Sequence, residues 1–351
     1  MAEAHLPEEI IVNILSWLPV KSLIRFSCVS KRLHFIIFSD PKFARSQFEA
    51  ACQQKTLSRR LLISISTDAP QLESLDLQTP SFGDDSPVRK LNFPLQQPRG
   101  SVRLLGSCNG LVTFCLGGEF FYIWNPSIGF FKQLPNPGLS LNKKDQIYYG
   151  FGYLSATDDY KVFLGSLNWT DNREEVEILS LRTHVWTRIQ MPGDFFSFDQ
   201  GILVNEALHW LSDELEHEID VFDLAAEEFR KMDRPNFHQL DHLINLGVSF
   251  GGCLCLCGHP RAAYDSTDFW VMREYDLSAE SWTKLFNLKL SNPPEVLWHY
   301  GDVYVMECCY VNEIRLVSID HKGEEKLGMY KTEAKCLYMI PYEESLLWIN
   351  Q

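Results

Sequence analysis

The beginning of the chain takes its fold from residues 6–23, which read LPEEIIVNILSWLPVKSL. Pro7 suits the first position of a helix, and the two glutamates after it complement the helix dipole. Apolar residues then recur at helical spacing from Ile10 to Leu18. Pro19 stops this helix and can open the next one. The stretch therefore predicts a short amphipathic helix followed directly by a second helix.

The helical pattern continues beyond this stretch, where Val29, Leu33 and Ile36 predict a third helix. Asp40-Pro41 predicts the cap and first turn of a fourth helix, which runs through Phe43. The first helix carries two adjacent apolar stripes, one with Ile10 and Ile14 and the other with Ile11, Leu15 and Leu18. About 40 residues cannot bury both stripes in a core of their own. The second stripe needs a partner, either the following domain or another protein.

Residues 6–43 resemble the F-box family. The matching positions are Leu6-Pro7, Ile14-Leu15, Leu18-Pro19, Leu23, Val29-Ser30-Lys31, Asp40-Pro41 and Phe43. The resemblance implies docking on the Skp-type adaptor of a cullin–RING ubiquitin ligase. The adaptor-binding residues would be Leu6, Pro7, Ile10, Ile14, Leu15, Leu18, Pro19, Leu23, Val29 and Leu33. The family usually has Trp where this chain has Leu33, so we expect weaker adaptor binding.

Charge is distributed unevenly along the 351 residues, whose formal net charge is −14. Residues 1–45 hold six basic and four acidic residues, a net charge of +2, so the remainder carries −16. An acidic domain repels the phosphates of nucleic acid, which argues against such a partner. The ten cysteines are ordinary for a reduced intracellular protein. We find no signal peptide and no membrane-spanning run, so we expect the cytoplasm or the nucleus.

From residue 61 onward, the helical period gives way to a repeat of strands. Each unit is a strand ending near Asp, a short turn, and a strand that opens with an aromatic residue. The units begin at residues 75, 124, 179, 222, 275 and 319. Intervals of about 40–50 residues with strand character are typical of β-propeller blades. Further hairpins between the units, with turns such as Asn109-Gly110 and Asn205-Glu206, would complete four strands per blade.

The predicted fold class is therefore α+β and multidomain, a small N-terminal all-α F-box followed by an all-β propeller. We read six blades, with seven as the alternative. The predicted boundaries are residues 1–45 for the F-box, 46–60 for a helical linker and 61–351 for the propeller. Strands in residues 61–95 and a hairpin in residues 336–349 are left over. We expect them to share one closing sheet, because an unstitched ring would expose two sheet edges.

The repeat region also resembles a family, the plant F-box-associated domain, which is related to kelch-type propellers. The matching stretches include SCNGL at 107–111, WNPS at 124–127, YGFGY at 149–153, DDYKV at 158–162, ALHWL at 207–211 and SWTKL at 281–285. The resemblance implies a non-catalytic subunit that presents protein targets to the ligase. Two alternatives stay open: an F-box protein that binds partners without driving degradation, and an enzymatic propeller.

Three clusters have both a chemical and a structural interpretation, and we favour the structural one in each case. Cysteines 253, 255 and 257 alternate, which indicates one face of a strand and not the paired ligands of a zinc site. His238 and His242 are four residues apart, but no further metal ligand is evident near them, so we read a solvated loop. Asp158-Asp159 indicates a turn and not an acid–base pair. We predict no cofactor, no metal and no catalytic residue.

Loop lengths predict where a target would bind. The turns between strands 1–2 and 3–4 of each blade are short and alike. The connections on the other face are long and irregular, and they include residues 168–174, 194–199, 213–218, 236–242 and 259–268. Irregular loops on a repeated scaffold commonly carry binding residues. The predicted substrate-binding residues are Phe195, Phe196, Phe198, Glu214, Glu216, His238 and His259. Their apolar and acidic character predicts a basic target segment with an exposed apolar residue.

Overall fold

The structure, a computed structural model, falls into two compact units. The first consists of Met1–Gln78, Val88–Leu134 and Tyr338–Gln351, and the second of Thr79–Pro87 and Pro135–Leu337. The described residues are 7–65, 71–76, 88–95, 100–139, 146–168, 173–191, 199–211, 218–235, 240–249, 252–260, 266–278, 281–289, 296–300, 303–310, 313–319, 325–330 and 337–349.

Four short helices form the helical module, defined here as residues 7–53. They are α1 (Glu8–Ser16), α2 (Val20–Ser27), α3 (Lys31–Ser39) and α4 (Pro41–Gln53). The Asp40 carboxylate accepts hydrogen bonds from the amides of Lys42 and Phe43, as the sequence predicts. The predicted linker at residues 46–60 is in fact the second half of α4, a short turn and the start of a strand. No helix among the described residues has the length and apolar character needed to cross a bilayer.

The core of the helical module includes a residue from far along the chain. Its buried members from the helices are Leu15, Val20, Leu23, Ile36, Ile37, Phe43 and Ala44. Leu346 completes the cluster at 0% exposure, and Ile128, Leu347 and Trp348 pack against it. The module therefore does not fill its own core.

Two sheets complete the first unit. The first has the order β25-β1-β2-β3, formed by β1 (Arg59–Ile65), β2 (Gln71–Asp76), β3 (Arg89–Leu91) and β25 (Leu337–Glu343). The second is antiparallel, formed by β4 (Val102–Cys108), β5 (Leu111–Leu116), β6 (Phe120–Asn125) and β7 (Phe130–Gln133). The predicted closing sheet is confirmed, because β25 pairs with β1. The predicted hairpin at 336–349 is wrong, because residues 344–349 form no strand.

The second unit holds four further sheets of described strands. One contains β8 (Gln146–Leu154), β9 (Asp159–Asn168), β10 (Arg173–Ser180) and β11 (Val185–Ile189), with β12 (Asp199–Gln200) parallel to β8. The next contains β13 (Ile202–Val204), β14 (Ala207–Leu211), β15 (Glu218–Asp223) and β16 (Glu228–Asp233). The other two contain β17 (Leu240–Ser249), β18 (Cys253–Pro260), β19 (Ser266–Met272) and β20 (Trp282–Lys289), then β21 (Val296–Tyr300), β22 (Val303–Tyr310), β23 (Glu313–Ile319) and β24 (Glu325–Tyr330).

Hairpin turns and aromatic residues connect this architecture to the sequence repeat. Asn109-Gly110 and Asn205-Glu206 have positive φ at both positions, as two-residue hairpin turns require. Aromatic rings pack between neighbouring sheets of the second unit, where Phe163 lies 4.9 Å from the ring of Trp210. The prediction of a small helical module followed by an all-β region is confirmed. The number of blades stays a prediction.

Two connections are shorter than the sequence suggests. The ends of the predicted loops 236–242 and 259–268 belong to strands, because β17 begins at Leu240, β18 reaches Pro260 and β19 begins at Ser266. The interpretation of His242 as a loop residue is therefore wrong, since it pairs with His259 across β17 and β18.

Candidate functional site

Exposed apolar side chains are concentrated on the helical module. Ten large apolar residues are exposed among the described residues, and six of them belong to residues 7–53. These six are Ile10, Ile14, Trp17, Phe26, Val29 and Phe35. Scattered exposed apolar residues are normal, but a concentration of this kind marks an interaction site. We call these six residues the exposed apolar surface.

Helix α1 and its C-cap residue, Trp17, contribute three of these residues from one face. Ile10, Ile14 and Trp17 are spaced by four and three residues, so they align along the helix. Their exposed fractions are 45%, 54% and 63%. The indole nitrogen of Trp17 donates a hydrogen bond of 3.2 Å to the side-chain oxygen of Asn13, which orients the ring. The other face of α1 turns Leu15 into the core.

The remaining three residues lie along α2, α3 and the turn between them. Phe26 is near the end of α2, Val29 is in the turn at 70% exposure, and Phe35 is on α3 at 62% exposure. The Ser30 hydroxyl accepts the Leu33 amide at 3.1 Å and caps α3. Arg32 at the start of α3 forms an ion pair of 2.7 Å with Glu8 at the start of α1. This contact joins the two helices that carry most of the exposed apolar surface.

The structure separates the sequence-predicted adaptor residues into two groups. Pro7, Ile10, Ile14, Pro19 and Val29 are exposed. Leu18 and Leu33 are half-buried and pack against the core of the module. Leu15 and Leu23 are 6% and 0% exposed, so their assignment to a binding surface is corrected: they stabilise the module from inside. Leu6 lies outside the described residues.

Sequence reasoning missed three members of the exposed apolar surface, namely Trp17, Phe26 and Phe35. Trp17 had a usable signal, because it continues the Ile10–Ile14 stripe by one turn. Phe26 and Phe35 fit the same periodicity as buried neighbours such as Leu23 and Ile36, so the period alone could not separate them.

Most of the predicted substrate-binding residues lie outside the described residues. These are Phe195, Phe196, Phe198, Glu214, Glu216 and His238. His259 lies in β18, opposite His242 in β17. Their role in target binding stays a prediction.

The clusters considered for chemistry have structural contacts. Asp158 adopts a positive φ in the turn before β9, and Asp159 accepts hydrogen bonds from the Ser180 hydroxyl at 2.6 Å and the Arg182 amide at 2.9 Å. Cys255 and Cys257 are each 1% exposed in β18, and burial raises the pKa of the Cys255 thiol. Across the described ranges, no three His, Cys, Asp or Glu side chains are placed to hold a metal ion.

His209, the histidine of the ALHWL stretch, is fully buried and both of its ring nitrogens have a partner. Its Nδ1 lies 3.0 Å from the Ile202 carbonyl oxygen, and its Nε2 lies 2.8 Å from the Tyr275 hydroxyl. Burial lowers the pKa of His209 to about 4. The neutral imidazole therefore donates from Nδ1 to Ile202 and accepts from Tyr275, which links strand β14 to the turn after β19.

Comparisons with known proteins match both parts of the chain. A family model described as the F-box associated beta propeller domain matches residues 72–347, and the F-box domain model matches residues 4–45. F-box protein CPR1 of Arabidopsis thaliana is 28% identical over 318 residues, which cover 82% of this chain and 73% of CPR1. F-box/kelch-repeat protein At3g23880 of the same plant is 28% identical over 294 residues, covering 81% and 79% of the two chains.

Solved structures resemble the chain at low identity. A chain of the nidogen/laminin complex gives a TM-score of 0.53 at 12% identity, over 82% of this chain and 99% of that one. TolB from Acinetobacter baumannii gives 0.51 at 12% identity, over 87% and 72%. Likeness at this level of identity concerns the fold alone.

Proposed function

Because the chain belongs to the F-box-associated β-propeller family and carries an F-box ahead of that domain, we propose that it is the substrate-recognition subunit of an SCF-type (Skp–cullin–F-box) ubiquitin ligase. The F-box binds the Skp-type adaptor, and through it the cullin and RING subunits, while the propeller binds a protein target. The receptor is not an enzyme. It raises the effective concentration of a target lysine near the ubiquitin-charged enzyme.

The observation that carries this proposal is the exposed apolar surface. Ile14 and Trp17 expose more than half of their side chains to water in the free protein. Fully burying one large apolar side chain is worth about 1.5–3 kcal/mol before the cost of association, so a partner that covers these half-exposed side chains gains part of this free energy. The basic residues of this module also favour a partner with an acidic surface.

The target is proposed to bind at the sheet ends that carry the irregular connections. In sheet β4–β7, Ile128 in the β6–β7 turn packs against the core of the helical module. The β5–β6 turn lies at the opposite end of these antiparallel strands, and Phe120 beside it is 42% exposed. The F-box therefore leaves that end of the sheet available. The residues proposed for target binding remain Phe195, Phe196, Phe198, Glu214, Glu216, His238 and His259.

Ten cysteines in 351 residues are ordinary for a reduced intracellular protein. The proposed location is the cytoplasm or the nucleus.

The test uses Ile14→Asp in the full chain, with Val185→Asp as the matched control. Both positions are more than half exposed, and Val185 lies in the second unit. A charge placed in an apolar interface is left unpaired there, so we expect Ile14→Asp to weaken adaptor binding by at least about 100-fold. Val185→Asp should keep the parent affinity. Titration calorimetry with a purified Skp-type adaptor measures both.

Equal affinity of a folded Ile14→Asp variant and the parent chain would contradict the proposal. The same variant also tests the consequence of binding. A target whose half-life does not lengthen when Ile14→Asp replaces the parent chain would make the protein a non-degradative scaffold.

A further inference from the structure

Residues 344–348, which follow β25, are buried or half-buried in the first unit although they form no helix or strand. We call them the clasp segment. Glu344 is 9% exposed, and Ser345 and Leu346 are 0% exposed. Segments without regular structure normally run over the surface, because their backbone groups need water as a partner. The burial of the clasp segment therefore requires dedicated contacts.

Asn125 and the two hairpin turns of sheet β4–β7 supply most of these contacts. Asn125, at the end of β6, is 0% exposed, and its Nδ2 donates to the carbonyl oxygens of Ser345 at 3.1 Å and Leu347 at 2.8 Å. The Ser345 hydroxyl donates to the carbonyl oxygen of Asn109 at 2.8 Å. The amides of the clasp segment are also paired, because Glu344 donates to the Ser58 carbonyl oxygen at 2.8 Å and Ser345 to the Ser127 hydroxyl at 3.3 Å. The backbone of the clasp segment is thus satisfied by the end of β6, the β6–β7 turn and Ser58, and the Ser345 side chain ties the segment to the β4–β5 turn.

Gly110 shows that the β4–β5 turn is shaped to receive the segment. Its φ is +80°, and a Cβ at this position would collide with the Ser345 side chain. It would also approach the carbonyl oxygen of Glu343 to 2.7 Å. In the longer β6–β7 turn, Gly129 also has a positive φ, of +73°, but nothing lies within 4 Å of such a Cβ.

The apolar part of the clasp segment enters the helical module. Leu346 joins a core that includes Leu23, Ile37 and Phe43, each at most 2% exposed. Leu347 and Trp348 pack at the edge of this core. The same core holds Leu15, which fixes the inner face of α1 while Ile14 and Trp17 point outward.

We infer that the clasp segment is a positioning element for the F-box, so that adaptor affinity depends on Leu346 although this residue cannot touch the adaptor. The inference rests on the proposed function. Removing the Leu346 side chain leaves a cavity under the helices, and the exposed apolar surface then keeps its residues but loses its fixed geometry. Affinity falls in proportion to the fraction of molecules that keep the binding-competent arrangement.

The coupling is reciprocal. An adaptor that selects the ordered helical module must also hold the clasp segment in place. Binding of the adaptor should therefore slow hydrogen exchange of the amides of residues 344–348. This effect is expected although a buried residue such as Leu346 does not contact the adaptor.

The experiment compares Leu346→Ala with Leu208→Ala in the full chain. Both leucines are 0% exposed, but Leu208 belongs to a core of the second unit. Hydrogen exchange in the adaptor-free protein and titration calorimetry with the adaptor are measured for each. We expect Leu346→Ala to speed exchange in α1–α3 and to weaken adaptor binding about tenfold or more. We expect Leu208→Ala to speed exchange in β13–β15 and to keep the adaptor affinity within twofold.

Leu346→Val, a smaller truncation, gives the same comparison if Leu346→Ala does not fold. Unchanged exchange in α1–α3 and unchanged affinity for the Leu346 variants would overturn the inference, as would an equal loss of affinity in Leu208→Ala. A parent chain that fails to bind the adaptor would overturn the proposed function instead, and the exchange data would still decide whether the clasp segment orders the helices.

Discussion

The helical module and the sheet β8–β11 bury their apolar side chains in different ways. In β9, the residues from Lys161 to Leu167 are all buried, and Phe163 packs on Trp210 and Phe222 of the adjacent sheet. The helical module instead takes Leu346 into its core from residues 344–348 and leaves Trp17 exposed. A repeated sheet finds its partner in the next repeat. A single small module has no such neighbour, so it depends on groups supplied from elsewhere.

The largest loss of stability is expected at Gly110, where the clasp segment contacts the β4–β5 turn. Gly110→Ala should lower the free energy of unfolding by about 3 kcal/mol, because it adds a left-handed conformation costing about 1–2 kcal/mol and a collision with residues 343–345. Gly129→Ala is the matched control, with φ +73° and open space around its Cβ, and should cost about 1 kcal/mol. Urea unfolding, followed by tryptophan fluorescence, measures both.

Equal losses at Gly110 and Gly129 would show that only the turn conformation matters. The dependence of the first unit on the clasp segment would then have no energetic support from this turn.

The sequence predicts the parts of the structure that depend on local chemistry. Asn109-Gly110 marks its hairpin, Asp40 marks a helix start, and the leftover strand after residue 336 belongs in the closing sheet. The clasp segment is different, since the apolar run Leu346–Trp348 after β25 resembles the continuation of a strand. Its actual place depends on contacts such as Asn125 with Ser345, which join residues far apart in the sequence.

The candidate site was predicted only in part for a related reason. The F-box resemblance identifies Ile14 and Leu15 together, but the first is 54% exposed and the second is 6% exposed. A family pattern records core and surface positions alike. Only the packing of α1 on Leu23 and Leu346 tells which stripe faces inward.

A second prediction concerns the sheets of the second unit, which bury their side chains against one another. His209 has its pKa lowered from 6.5 to about 4 by burial, so the folded state holds it neutral while the unfolded state binds a proton below pH 6.5. Neutral His209 therefore makes its full contribution to the free energy of unfolding above pH 6.5. This contribution is lost as the pH drops from 6.5 to 4. At about 1.4 kcal/mol for each pKa unit, the loss reaches about 3 kcal/mol at most.

Urea unfolding at a series of pH values checks this prediction, with His209→Gln as the comparison. The variant should be less stable at pH 7, because it disturbs the contacts to Ile202 and Tyr275, but its stability should fall less steeply between pH 6.5 and 4. Parallel pH profiles for the two proteins would assign the acid sensitivity to other groups.

The smallest effect is expected at Leu33, where the comparison between inward and outward residues can be made within one helix. Leu33 is half-buried against the core of the module, whereas Phe35 on the same helix is 62% exposed. Leu33→Trp should lower the free energy of unfolding by about 1 kcal/mol, because the larger ring overpacks that core. It should not strengthen adaptor binding.

Phe35→Ala should have the opposite profile, with stability nearly unchanged and adaptor affinity reduced, because exposed aromatic residues often anchor interfaces. Calorimetric titration and thermal unfolding of both variants separate the two effects. A tighter complex for Leu33→Trp at unchanged stability would place residue 33 in the interface, where the family's usual Trp would then act, and the boundary between the core and the exposed apolar surface would have to move across α3.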